Sequence, residues 1–67
     1  MNRLIVESYN NSTINTILND IGEKYSIDTT KEQLSEDIDV EEVKFKYRTY
    51  SECVRILYKS VGYMKVA

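Results

Sequence analysis

Two groups of residues in this 67-residue sequence could do chemistry by type and spacing. The first is Glu36-Asp37-Ile38-Asp39-Val40-Glu41-Glu42, five carboxylates in seven positions. The alternation of Asp37, Asp39 and Glu41 matches the opening of a calcium-binding loop. Such a loop needs a glycine at its sixth position for a sharp turn and a bidentate glutamate at its twelfth. Glu42 and Arg48 stand there instead, so the segment reads as a solvated acidic patch. The second group is basic and aromatic: Lys44, Lys46, Arg48, Arg55 and Lys59 lie among Phe45, Tyr47, Tyr50, Tyr58 and Tyr63. Cations beside rings suit phosphate contacts and base stacking.

Covalent and metal chemistry finds little support. There is no histidine and only one cysteine, Cys53. No imidazole is available to activate a nucleophile, and one thiol alone cannot build a structural zinc site. Cys53 lies near a predicted helix start and Arg55, which could favour a thiolate, but a small apolar core residue is the simpler expectation. Both glycines stand alone, so no phosphate-cradling loop is present, and the chain is short for a concave substrate site. The expectation is a protein that is not an enzyme and carries no cofactor.

Charge is unevenly spread. Residues 1–42 hold three basic side chains against ten acidic ones, a net of −7; residues 43–67 hold six basic ones against Glu52 alone, a net of +5. Such asymmetry points to a charged partner, or to acidic and basic halves that neutralise each other within the fold. Two binding functions follow. In the first, a small acidic module occupies the surface of a host or cognate protein through Glu36, Asp37, Asp39, Glu41 and Glu42. Carboxylates there stand in for phosphates before Arg and Lys. In the alternative, Lys44, Lys46, Arg48, Arg55 and Lys59 bind nucleic acid. The first is favoured, because the aromatic residues read as packing. Ile, Asn, Lys and Tyr supply 24 of the 67 residues, as an AT-rich genome would give. A short product starting at Met1 suits a phage or accessory gene, so an inhibitor of a host protein is expected. A lone cysteine fits a reducing, cytoplasmic setting. No apolar run approaches a membrane span.

These residues must be positioned by a small number of elements. A chain this short has a marginal core, and no disulfide or zinc is available to staple it. Tight packing or a partner chain remains, and a homodimer is a candidate assembly. Residues 2–8 are β-branched and end at the turn-forming Tyr9-Asn10-Asn11-Ser12, which predicts a strand. Asn11 or Ser12 then caps a helix whose Ile14, Ile17, Leu18, Ile21 and Tyr25 share one face. Gly22 is expected to end it, leaving residues 23–27 extended. Thr29 to Glu32 has capping-box spacing for a helix of about two turns, anchored by Leu34 and Ile38. Residues 36–42 are expected to be a loop.

Residues 40–62 admit two readings. With period two, Val43, Phe45 and Tyr47 face a core while Lys44, Lys46 and Arg48 face water; Thr49 and Glu52 then cap a helix carrying Val54, Leu57, Tyr58 and Val61 inward. With period 3.5, Val40, Val43, Tyr47, Tyr50, Val54, Leu57, Val61 and Met64 form a heptad seam. The first is preferred, because the second strands Phe45 outside and wastes the cap in mid-helix. The predicted fold is α+β in one small domain: a single-layer sheet of two or three strands packed on two helices, in the order β-α-(short α)-β-α. Residues 63–66 could add an edge strand. The alternative is an all-α helical hairpin with a long C-terminal helix.

Overall fold

The computed structural model describes residues 4–62. Strand β1 (Ile5–Thr13) is followed by helix α1 (Ile14–Tyr25), a 3-10 turn (Thr30–Glu32), strand β2 (Asp39–Arg48) and helix α2 (Tyr50–Ser60). The two strands form an antiparallel sheet, one face of which packs on both helices. This is the small α+β fold predicted, and the long C-terminal helix is not formed. The suggested strand at residues 63–66 lies outside the described residues.

The register decides which side chains are buried. Val6 lies opposite Lys46, Glu7 opposite Phe45, Ser8 opposite Lys44, and Tyr9 opposite Val43. Phe45 and Val43 turn inward with Ile5 and join Ile14, Ile17, Leu18, Ile21, Val40, Cys53 and Leu57 in the core. Tyr9 packs edge-on against Phe45, with ring centroids 6.3 Å apart, a favourable geometry for opposed quadrupoles. Val6, Ser8, Lys44 and Lys46 face solvent on the other side.

Several local expectations are corrected. β1 does not stop at residue 8 but continues through Tyr9-Asn10-Asn11-Ser12, because Asn10, Ser12 and Thr13 find partners in Glu42, Val40 and Asp39. Asn11 takes a left-handed φ of 50° within the strand. There the alternation slips by one: Asn10 and Asn11 are both exposed, as are Glu41 and Glu42 across from them. Residues 39–42 are consequently strand rather than loop. The α1 cap is Thr13, whose hydroxyl accepts from the Thr16 amide, and not Asn11 or Ser12. The second predicted helix is a single 3-10 turn without a side-chain cap. The α2 capping box forms as its spacing predicts, with the Glu52 carboxylate accepting from the Thr49 amide at 3.0 Å.

Tyr47 does not turn inward. The register shifts between Ile5 and Val6, where Ile5 lies opposite Arg48 and Val6 opposite Lys46, so Tyr47 is the extra residue of a bulge. It adopts φ 57°, and its side chain is left 65 % exposed. A bulky residue in this region is strained by about 1–3 kcal/mol.

Gly22 lies inside α1 rather than ending it. The helix runs on to Tyr25 and is capped by Ser26 in the left-handed conformation, and the amides of Ser26 and Ile27 both donate to the Gly22 carbonyl. The returning chain comes so close that a Cβ on Gly22 would stand 2.8 Å from the Ile27 carbonyl oxygen. Glycine is required here by approach, not by its own φ. In an ordinary helix interior, Gly→Ala stabilises by roughly 0.5–1 kcal/mol. Gly22→Ala is expected to reverse that sign and lower the urea midpoint; a raised midpoint would show that the backbone yields at no cost.

Candidate protein-binding surface

The acidic segment is built by the leading half of β2 and the loop before it. Asn15 of α1 holds that loop like a backbone strand: its amide nitrogen donates to the Leu34 carbonyl at 2.8 Å and its oxygen accepts from the Leu34 amide at 2.8 Å. Two phenols from α2 hold it from the other side. Tyr50 donates to the Glu32 carboxylate at 2.6 Å and Tyr58 to the Glu32 carbonyl at 2.6 Å. Burial first, then the Glu32 carboxylate, pushes the Tyr50 phenol well above its ordinary value. The Ile14 amide, donating to the Ile38 carbonyl at 3.0 Å, joins the start of α1 to the start of β2.

The five predicted acidic residues then divide. Asp37 serves the fold: its Oδ1 accepts from the amides of Asn15 and Ile38, each at 3.0 Å. Burial raises its carboxyl pKa, but hydrogen bonds from the Thr13 hydroxyl and those two amides outweigh this, and the net shift is downward. Glu36, Asp39, Glu41 and Glu42 are exposed. Glu42 has a loose contact with Lys44 at 4.0 Å. The carboxylates of Glu36, Asp39 and Glu41 have no hydrogen bond or ion pair to any described residue. Shallow grooves flank this stretch, one between Ile38–Glu42 and Ser60–Val61, the other beside Asn11 and Ser12. With Asp37 turned to α1 and Asp39 and Glu41 on a strand, the alternating carboxylates do not converge. No cluster of three or more metal-ligating side chains occurs among the described residues.

The five predicted basic residues occupy two faces and a corner. Lys44 and Lys46 stand on the open face of the sheet. Arg55 and Lys59 are exposed one turn apart on α2, which packs against the opposite face through Cys53 and Leu57. Arg48 lies between, 3.8 Å from Glu52. Sequence reasoning missed the bare ring of Tyr47, together with half-exposed Leu4 and Val6. The only available signal was the length mismatch that makes the bulge, and it appears only once the strands are paired.

Other ionisable groups serve the fold. Cys53 is fully buried, and burial, aided by the Glu52 charge, pushes its thiol up to about 11 despite the opposing Arg48 charge. Tyr9 donates to Asp20 at 2.6 Å, and Tyr25 to Glu7 at 3.1 Å. Lys24 bridges Glu7 and Asp20, each at 3.2 Å. No described helix is long and apolar enough to cross a membrane. Compared with protein-family models, curated proteins and solved structures, the chain matches none.

The Asp37 shift makes a pH prediction. A carboxyl whose folded pKa is depressed contributes stability above its unfolded value, near ~3.9, and loses it as pH falls through the folded value. Asp37→Asn is expected to be less stable than the parent at neutral pH, and to lose less on acidification to about pH 3. Urea midpoints at both pH values test this; an equal loss in the two proteins would remove Asp37 from the acid response.

Proposed function

We propose that this chain is a small non-catalytic protein-binding module. It acts as an inhibitor by laying the acidic half of β2 on a basic surface of a host or cognate protein. The supporting observation is that Glu36, Asp39 and Glu41 are ionisable, exposed and without a described partner, next to a strand edge that no described strand covers. Carboxylates in this state give up few internal contacts on meeting Arg or Lys, and form charge-assisted hydrogen bonds there. The open edge adds main-chain donors and acceptors for an extended partner segment. Asp37 is excluded from the working surface, because its role in joining the loop to α1 makes any change there a folding change.

The test leaves Asp37 in place. Replacing Asp39, Glu41 and Glu42 by Lys is expected to abolish capture of a protein from nuclease-treated lysate, with the circular dichroism spectrum unchanged. Capture of the same protein in equal amount would end this reading.

Tyr47 favours a second reading. Its ring is bare and its chain neighbours are Lys46 and Arg48, so it offers a base a stacking platform between two cations of the sequence. Stacking of this kind is worth ~1–3 kcal/mol per base. If nucleic acid is the partner, the parent is retained on single-stranded DNA or RNA at low salt, and Tyr47→Ala with Lys44→Glu and Lys46→Glu is not. No retention of the parent removes this reading.

A further inference from the structure

The order of charges along β2 carries an inference that does not depend on the target. β1 covers one edge of β2; no described strand covers the other. The groups that face the open edge follow from one hydrogen bond. The Val6 amide donates to the Tyr25 hydroxyl of α1 at 3.2 Å. Val6 and its opposite number Lys46 therefore form a non-hydrogen-bonded pair. Since donors and acceptors alternate sides along an antiparallel strand, Lys46, Lys44 and Glu42 direct their N–H and C=O groups to the open edge. Along that edge the charges run Asp39, Glu41, Glu42, then Lys44, Lys46, Arg48, with Val43 between the two blocks. About Val43 the two blocks are opposite in sign, with Glu42 and Lys44 at equal distance from it.

We infer that the occupant of this edge is a second copy of the chain, paired β2 to β2 in antiparallel register about Val43. A two-fold axis there sets Glu42 of each copy opposite Lys44 of the other, and Val43 opposite Val43 on the core face. Because the alternation slips at Glu41 and Glu42, the regular pairing is centred on Glu42, Val43 and Lys44 of each copy. In this register no like charges stand directly opposite one another. Sliding by two residues, the smallest step that keeps the hydrogen-bond pattern, sets Glu42 against Glu42 or Lys44 against Lys44, and like charges directly opposite each other are unfavourable. No proline interrupts the edge, and the bulge at Tyr47 lies beyond its paired centre. The product is a four-stranded sheet with all four helices on one face. Glu42 is then shared between self-pairing and any basic target, so the two compete.

The experiment uses the full chain and its molar mass in solution, by sedimentation or light scattering at low salt. The parent is expected to dimerise. Glu42→Lys and Lys44→Glu are each expected to weaken self-association by about ten-fold or more, because each sets like charges opposite one another twice. Mixed together, these two variants are complementary again, and are expected to form a heterodimer. Heterodimer formation also shows that both variants fold. A parent that stays monomeric at every soluble concentration overturns the proposal. So do single variants that dimerise as well as the parent, or a mixture that fails to pair.

Discussion

The register between β1 and β2 is the constraint on which everything else rests. A two-stranded sheet is at best marginally stable in water by itself; this one persists because one of its faces is buried. Phe45 is 2 % exposed and Val43 6 %. A slip of one residue would exchange them for Lys44 and Lys46 and place charges against the isoleucines of α1. Truncating a buried phenylalanine to alanine costs about 3–5 kcal/mol, much of the roughly 3–10 kcal/mol expected for a chain of this length. The same pleat that buries Phe45 puts the two lysines on the open face, so core and surface are fixed by one choice of phase.

Tyrosine does the work that a disulfide or zinc does in other chains of this size. Tyr9, Tyr25, Tyr50 and Tyr58 each pack against the core and carry a hydroxyl to a neighbouring element. Tyr9 joins β1 to Asp20 of α1, Tyr25 joins α1 to Glu7 of β1, and Tyr50 and Tyr58 join α2 to Glu32. A net hydrogen bond contributes about 1 kcal/mol, and more when the acceptor is charged. These rings add apolar area as well, which no polar staple supplies. Among the described aromatic residues of the basic C-terminal part, Phe45 is core and the hydroxyls of Tyr50 and Tyr58 tie those two to Glu32. Tyr47 differs because the bulge aims it away from every such partner.

What could be read from the residues follows from how local each signal is. The α1 stripe, the Val43–Phe45 alternation and the Thr49–Glu52 box depend on neighbours within one or two turns, and these features appear in the structure as expected. Most of the misreadings involve a distant partner. Tyr9-Asn10-Asn11-Ser12 has turn chemistry, yet pairing with residues 39–43 keeps it extended. Gly22 resembles a helix end, but the Ile27 carbonyl requires it. Glu32 has the spacing of a capping residue, but its carboxylate accepts from the half-buried Tyr50 phenol instead. In the acidic segment, sequence shows five equivalent carboxylates. Only the fold separates Asp37, which accepts two amides, from Asp39 and Glu41, which accept none.

The charge asymmetry of the sequence also takes a different form in three dimensions. Neutralisation between acidic and basic halves would require salt bridges between them, and the described ion pairs are mostly local. Lys24 pairs with Glu7 and Asp20 inside the first half, and Arg48 with Glu52 inside the second. Glu42 with Lys44, the pair that crosses, is loose and lies within one strand. Six charged residues are laid out along β2, three acids first and three bases after. At ~3.4 Å per residue, Asp39 and Lys46 are separated by roughly 24 Å, about three times the ~8 Å over which physiological salt screens a charge. Each end of the strand therefore presents its own sign to solution. The near-neutral total conceals a dipolar edge rather than a cancelled one.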